Sequence, residues 1–194
     1  MYSILLDSSN TSLSVGFTKE GELVCYSSFE CWQEQSEHMI PVIDKLMNDN
    51  YISKDDLNKI VVSIGPGSYT GVRIALTIAK VMALALNIPL YPVSSLRVLK
   101  DDEKPSICLI NARSNRSYFG VYKGNEVIIV DTIKTNDEVL EYIASHKDYS
   151  ICGNVAYLGF ENKNTNICKQ MMSLISVLSP ISDNLSAKPV YLKD

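Results

Sequence analysis

Residues 65 to 71 read Gly65-Pro66-Gly67-Ser68-Tyr69-Thr70-Gly71 and lie between the apolar run Ile60–Ile64 and a long helix-like segment. A strand that passes through a glycine-rich turn into a helix directs several backbone N–H groups at one point, where the helix dipole also favours negative charge. One interpretation is a phosphate-binding turn made by Gly65, Gly67, Ser68, Thr70 and Gly71. The alternative is structural, because glycines permit a tight turn and Ser68 or Thr70 can cap the helix. Neither GxGxxG nor GxxxxGK[ST] is present to decide between them.

Composition limits the classes of protein to consider. The chain has 194 residues, and 46% of them are apolar, which suffices for one large domain or two lobes of about 100 residues each. The net charge is −4 and no basic run is present, so we do not expect this chain alone to bind RNA or DNA tightly. The five cysteines are scattered without CxxC spacing, and Met1 leads directly into a strand without a secretory signal. Reduced thiols and a cytoplasmic location are therefore expected.

The periodicity of apolar residues predicts the same order of elements twice. The first half reads as strands 3–7, 13–17 and 22–29, helix 33–47, strand 60–64, helix 72–86 and strand 88–93. The second half reads as strands 107–111, 117–122 and 127–132, helix 137–145, strand 149–152, helix 166–173 and strand 175–178. A repeated βββαβα unit predicts an α/β protein of two lobes, residues 1–101 and 102–194, which face each other across a cleft.

This layout is that of actin-like, ribonuclease H-like ATPases, in which the first turns of both lobes hold a nucleotide. On that fold, the turn that begins with Asp7 and Ser8 would face the turn that contains Asn111 and Arg113. Asp7 ends the first strand, where such an ATPase would hold Mg²⁺ through water. The alternative is a carboxylate that closes its own turn with the neighbouring serines. Arg113 reaches the cleft or is an ordinary surface charge.

Two helices indicate a surface for a partner protein. Helix 72–86 is apolar around most of its circumference, and its alanines recur every four residues, which permits close approach of another element. Burial inside its own lobe is the alternative, and a membrane span is not expected because the helix is short and carries charge. Helix 33–47 adds a second apolar face. The predicted contact residues are His38, Met39, Val42, Ile43, Leu46, Arg73, Ala75, Thr77, Ala79 and Ala83.

Catalytic side chains are few. The two histidines, His38 and His146, each lie alone in a polar, helix-like context, which favours solvated side chains over a metal ligand or a base. No metal site can be assembled from them, and no Ser/His/Asp order indicates a peptidase convincingly.

Several stretches together resemble the bacterial TsaB (YeaZ) family over nearly the whole chain. They are residues 4–9 (ILLDSS), 38–46 (HMIPVIDKL), 65–74 (GPGSYTGVRI), 111–113 (NAR) and 189–192 (PVYL). The resemblance implies an actin-like fold and a non-catalytic subunit that pairs with a TsaD-like enzyme. That enzyme makes N6-threonylcarbamoyladenosine (t6A37) on tRNAs that read codons beginning with adenine.

The resemblance also implies the other partners. A TsaE-like ATPase and tRNA would bind only through the complex, and a homodimer is one possible state when the TsaD-like partner is absent. No cofactor of its own is implied, although ATP or ADP can lie at the surface shared with the partner.

Two features separate the chain from a catalytic relative. TsaD relatives hold a metal with paired HxxxH histidines after the strand that follows the glycine-turn helix, whereas residues 92–98 read PVSSLRV here. Asn111 also stands where family members commonly have Asp, which argues against chemistry in the cleft. The runner-up hypothesis is an independent nucleotide-dependent kinase or ATPase that uses Asp7 and the glycine turn, and a peptidase is the third.

Overall fold

The first half of the chain forms a five-stranded mixed sheet. A computed structural model describes residues 1–163 and 165–192. The elements are β1 (Tyr2–Asp7), β2 (Ser12–Lys19), β3 (Glu22–Glu30), α1 (Gln35–Asp49), β4 (Leu57–Ser63), α2 (Tyr69–Leu86) and β5 (Leu90–Val93). The strand order is β3-β2-β1-β4-β5, with β1 antiparallel to β2 and parallel to β4.

The second half repeats this arrangement in a four-stranded sheet. Its elements are β6 (Ser106–Arg113), β7 (Arg116–Lys123), β8 (Glu126–Thr135), α3 (Asn136–Ser145), β9 (Ser150–Gly153) and α4 (Ile167–Leu174). The order β8-β7-β6-β9 matches β3-β2-β1-β4, and β6 is again antiparallel to its hairpin partner and parallel to β9. The predicted α/β fold with a repeated βββαβα unit is confirmed.

The first sheet is covered on both faces, as the continuous apolar sequence of β1 requires. Ile4 and Leu6 point to one face and pack with the inner sides of α1 and α2. Leu5 points to the other face, where it meets Cys168, Met171 and Leu174 of α4. The helix of the second unit therefore completes the core of the first.

The position of α4 differs from a simple duplication. In the first unit α2 packs on its own sheet, whereas α4 contacts β1, β2 and β3 of the other lobe. Gly16 allows this approach, since a Cβ there would lie 2.8 Å from the Cys168 sulfur. The predicted boundary between residues 101 and 102 therefore lies between the two sheets, but α4 from beyond that boundary packs in the core of the first lobe.

The predicted strand over residues 175–178 is wrong. Residues Ile175–Val177 form a turn of 3₁₀-helix that continues α4, and Ile175 and Leu178 pack into the core beneath it. A short apolar run does not distinguish a strand from the last turn of a buried helix.

The segment that follows returns to the first lobe. The amide of Ile181 donates to the carbonyl of Leu90, and the side chain of Asn184 bonds the backbone of Ile88 and Leu90. Farther on, Val190 N–H donates to Ile64 O at 2.7 Å. The end of the predicted second lobe and tail, Lys193 and Asp194, lies outside the described residues.

Helix α2 is long and apolar enough to cross a membrane by length and composition, with a mean hydropathy of 1.5. One face of the helix packs in the core of the first lobe. Ala75, Ala79 and Ala83 are fully buried in the core of the first lobe, and Lys80 donates to the carbonyl oxygen of Ala187 at 3.0 Å.

Candidate functional site

The glycine turn is packed directly on the loop that follows β1. A Cβ at Gly67 would overlap the carbonyl oxygen of Ser9, and a Cβ at Gly71 would overlap that of Ser8. The hydroxyl of Ser8 donates to the Gly71 carbonyl at 2.7 Å. Gly65 has a φ of +105°, and the Val190 carbonyl lies where its side chain would be. Close approach of two loops thus explains these glycines.

Several backbone donors of the turn are already used within the protein. Gly65 N–H donates to the Ser95 hydroxyl at 3.1 Å, and Ser68 N–H donates to Ser9 O at 2.7 Å. Ser68 is the N-cap of α2, because its hydroxyl accepts from Gly71 N–H at 3.2 Å. These contacts favour the capping interpretation, since a phosphate would have to displace them. Thr70 is exposed in the first turn of the helix.

Asp7 is held by its own turn. Its carboxylate accepts from the Ser9 amide at 3.3 Å and from the Ser9 hydroxyl at 2.9 Å. Burial raises the pKa of Asp7, and the Ser63 hydroxyl and the bonds from Ser9 offset part of that effect. A carboxyl that is desolvated and bound to neighbouring hydroxyls is a weaker Mg²⁺ ligand than an open, ionised one.

The turns predicted to face each other line two neighbouring cavities. Asp7 and Ser9 line a cavity of about 540 Å³ between the lobes. Asn111 and Arg113 line a second one, of about 460 Å³, together with the glycine turn. Asn10 and Ile110 border both. The structure therefore brings Asn111 and Arg113 to Gly67 and Ser68, and it leaves Ser8 buried against Gly71.

The charges of the larger cavity do not favour a polyphosphate. Among the described residues its charged lining consists of two carboxylates, Asp7 and Glu30, and one ammonium, Lys163. Lys163 is already bound to the Asp101 carboxylate. Within residues 1–163 and 165–192, no group of three or more His, Cys, Asp or Glu side chains could hold a metal ion.

The prediction of the partner surface is wrong for the residues that are buried. Five of its residues lie in the core of the first lobe, namely Met39, Ile43, Ala75, Ala79 and Ala83. The alanine strip packs against its own sheet because small side chains permit a close approach of helix and strand. His38, Val42 and Leu46 are half-buried, whereas Arg73 and Thr77 are exposed.

The outer face of the same helices exposes other apolar side chains. Ile40 on α1 and Val81 and Leu84 on α2 have 52%, 61% and 62% of their surface accessible. Beside them, a largely apolar groove of about 430 Å³ runs along the first turns of α2, lined by Ser36, Tyr69, Thr70, Arg73, Ile74, Thr77 and Ile78. We call these residues, with Ile40, Val81 and Leu84, the helix face.

The sequence did not predict that Tyr191 lies beside the helix face. Tyr191, from the C-terminal segment, stacks on Tyr69 with ring centroids 5.3 Å apart. Nothing in the local pattern around residue 191 places it beside α2, because the contact depends on the return of the chain to the first lobe.

The repeated topology and the two cavities between the lobes define the class of protein as a two-lobed α/β protein with a duplicated βββαβα unit. The solved structure of YeaZ from Pseudomonas aeruginosa has the same fold, with a TM-score of 0.81, 21% identity and coverage of 98% of this chain and 99% of that one. The family model for TsaD, tRNA N6-adenosine threonylcarbamoyltransferase, matches residues 30–172.

Curated relatives narrow the class to one family. The TsaB protein of Bacillus subtilis, a tRNA threonylcarbamoyladenosine biosynthesis protein, is 31% identical over 174 residues, which are 87% of this chain and 74% of that protein. The TsaB protein of Escherichia coli is 26% identical over 63% of this chain and 55% of that protein. The chain belongs to the TsaB (YeaZ) family.

Proposed function

We propose that this protein is a cytoplasmic, non-catalytic subunit that activates a TsaD-like threonylcarbamoyltransferase in the synthesis of t6A37 on tRNA. Membership of the TsaB family is the observation that carries the proposal, because its named members are biosynthesis proteins for this modification. In this proposal the TsaD-like partner performs the transfer. A TsaE-like ATPase and tRNA bind through the complex.

The geometry of the cleft supports a non-catalytic role. The N–H groups of Gly65, Ser68 and Gly71 are bound within the protein, and Asp7 is buried with a raised pKa. A nucleotide-dependent kinase would need free donors and a solvent-accessible carboxylate at these places. The proposal therefore gives this chain no cofactor of its own and assigns any ATP or ADP to the surface shared with the partner.

The helix face supports the pairing. Its exposed apolar side chains lie on two adjacent helices, and a contiguous apolar surface on a folded protein is typical of a binding site. Arg73 and Tyr69 are also of the residue types that contribute most at protein interfaces. When the enzyme is absent, the same face is available for a second copy of this chain.

A matched pair of substitutions tests the proposal. Val81→Asp places a charge on the helix face, and Val130→Asp places the same charge on β8 of the other lobe, where Val130 is 71% exposed. Both variants should melt like the parent chain. The first should lose co-purification with the TsaD-like enzyme and t6A formation in a reconstituted reaction, and the second should retain both.

Two results would contradict this function. One is normal binding and activity of Val81→Asp and of the double variant Val81→Asp/Leu84→Asp. The other is sustained ATP hydrolysis by the purified chain alone that Asp7→Ala abolishes, which would instead favour an independent ATPase.

A further inference from the structure

Two cysteines lie directly opposite each other in the second sheet. Strands β6 and β9 pair in parallel, and the register places Cys108 beside Cys152. Register partners on parallel strands project to the same face, and adjacent strands lie about 4.8 Å apart. Disulfides span Cα separations of about 4.4–6.8 Å and Cβ separations of about 3.5–4.5 Å, so the strand spacing suits the Cα atoms and the bond would draw the two Cβ atoms slightly together.

Both thiols belong to a small apolar cluster between the second sheet and the segment that joins the lobes. They are fully buried and pack with Leu96, Ile110 and Tyr122, while Leu99 adds to the edge of the cluster. This cluster lies on the face of the sheet away from α3, whose side chains pack with Ile107 and Leu109. No step of the proposed function uses either cysteine.

The surroundings make the two sulfurs unequal. The pKa of Cys152 is lowered because the Cys108 thiol donates a hydrogen bond to it, with further contributions from the Ser106 hydroxyl and the Lys163 ammonium. Burial raises the pKa of Cys108. Of the two sulfurs, Cys152 therefore loses its proton more readily than Cys108. A stabilised thiolate next to a second thiol is the arrangement of cysteines that respond to oxidants.

The cavity between the lobes borders the residues that surround the thiol pair. Gly153 follows Cys152 in β9 and lines the cavity of about 540 Å³, as do Lys163, Leu99 and Ile110. Leu99 and Ile110 thus both line this cavity and pack in the cluster that holds the thiol pair, and hydrogen peroxide is close to water in size.

We propose that Cys108 and Cys152 are an oxidative modification site, which hydrogen peroxide converts to an intramolecular disulfide. The thiolate of Cys152 attacks one peroxide oxygen, the O–O bond breaks, and hydroxide leaves, which gives a sulfenic acid. The Cys108 sulfur then attacks the Cys152 sulfur, and its proton leaves with the hydroxyl group as water. Two electrons pass from the sulfurs to the peroxide. A dithiol reductant reverses the change by thiol–disulfide exchange.

The other cysteines provide internal controls. Burial raises the pKa of Cys168 to about 12, and burial also raises the pKa of Cys25 and Cys31. Each of these three is disfavoured as a thiolate, so they should remain reduced while the pair reacts.

The experiment treats the folded full chain with hydrogen peroxide, blocks the remaining thiols with an alkylating reagent in denaturant, and analyses intact protein and peptides by mass spectrometry. Two of the five thiols should be lost, and the peptides that contain Cys108 and Cys152 should appear joined, with two hydrogens fewer than their sum. The same treatment in concentrated urea should give no preference for this pair.

Single substitutions assign the roles of the two sulfurs. In Cys108→Ser, Cys152 should stop at the sulfenic acid and be trapped by a cyclic dione, whereas in Cys152→Ser, Cys108 should stay reduced. Cys168→Ala should still form the crosslink. Thermal melting checks that each variant is folded. If a serine variant does not fold, the alanine variant at the same position, Cys108→Ala or Cys152→Ala, is used instead. The proposal is overturned if the folded chain keeps all five thiols, if another pair joins, or if the pair is no faster than in urea.

Discussion

The Nε of Arg73 donates to the hydroxyl of Tyr191 at 2.8 Å, although the two residues are 118 positions apart in sequence. The Arg73 guanidinium also lies over the ring of Tyr69, with Cζ 4.0 Å from the ring centroid. The bond that Arg73 donates to Tyr191 is the main reason that the pKa of Arg73 is raised. One cation and two stacked rings therefore join the C-terminal segment to the first turns of α2, next to the helix face.

Tyr191→Ala should loosen the C-terminal segment while leaving the core unchanged. The substitution removes both the stacking on Tyr69 and the acceptor for Arg73. We expect faster hydrogen exchange at Val190 N–H, which donates to Ile64 O, and little change in the melting temperature. Tyr51→Ala, at a tyrosine that is 96% exposed, is the matched control and should leave that exchange rate unaltered.

Gly71→Ala should destabilise the protein by about 1–3 kcal/mol, the usual cost of forcing an extra carbon into a packed site. The new Cβ would overlap the Ser8 carbonyl oxygen, which belongs to the neighbouring loop backbone and cannot rotate away. Urea unfolding measures the change. Gly124→Ala is the control, because nothing lies within 4 Å of its Cβ position, and only the positive φ of +56° costs free energy there, about 1 kcal/mol. Equal losses at both sites would contradict the packing argument.

Ala79→Glu should prevent folding or lower the free energy of unfolding by several kcal/mol, because an unpaired carboxylate in the core is strongly unfavourable. Ala79 is fully buried against its own sheet, whereas Ala85 on the same helix is exposed. Ala85→Glu should change stability by no more than about 0.5 kcal/mol. Circular dichroism melting of both variants checks the difference. An Ala79→Glu protein that is as stable as the parent would return the alanine strip to the list of partner contacts.

The Asp101 carboxylate should stabilise the protein only while it is ionised. Its pKa is lowered, chiefly by the backbone N–H of Glu103 and then by Lys163 and Ser150. The contribution is therefore present above the ordinary pKa of 3.8 and is lost as the pH falls through 3.8 towards the folded value. Urea unfolding should show Asp101→Asn less stable than the parent at neutral pH, and the difference should narrow in acid.

The contribution of Asp131 to stability should depend on pH in the opposite direction from that of Asp101. Burial raises the pKa of Asp131, although Ser94 donates to it at 2.5 Å and Tyr122 also bonds it. Its contribution is largest below pH 3.8 and decreases as the pH rises through the folded pKa. In a parallel pH series, the difference in the free energy of unfolding between the parent and Asp131→Asn should therefore shift in favour of the parent as the pH falls. The same trend in both variants would contradict these assignments.

This chain alone should not shift tRNA in a gel at moderate salt, whereas the complex with the TsaD-like enzyme should. Counterion release by basic side chains supplies most non-specific affinity for nucleic acid, and the net charge here is −4. A clear shift with the isolated subunit, weakened by added salt, would refute this expectation.

The order and type of the elements could be predicted because periodicity is a local property. The alternation in β2 and the apolar stripe of α2 identify a strand and a helix without knowledge of their neighbours. The repeat of that order predicts the two similar sheets that the structure contains.

The partners of these elements could not be predicted in the same way. The sequence around Cys168 predicts a helix but not that it packs over Gly16 of the other lobe. Likewise, the spacing of Ala75, Ala79 and Ala83 indicates a close approach but not whether sheet or partner provides it. The role of the glycine turn could not be predicted for a related reason. In a sequence, a glycine that is needed for its φ or for a close neighbour cannot be distinguished from one that is needed to bind a ligand.

The placement of α4 has a consequence for synthesis of the chain on the ribosome. Leu5 and Val61 lie in the first lobe but are covered by Met171 and Leu174, near the end of the chain. A nascent chain that stops short of residue 174 exposes an apolar sheet face, whatever the state of its strands. The first lobe can therefore reach its native stability only after residue 174 has emerged, and an isolated N-terminal half should aggregate.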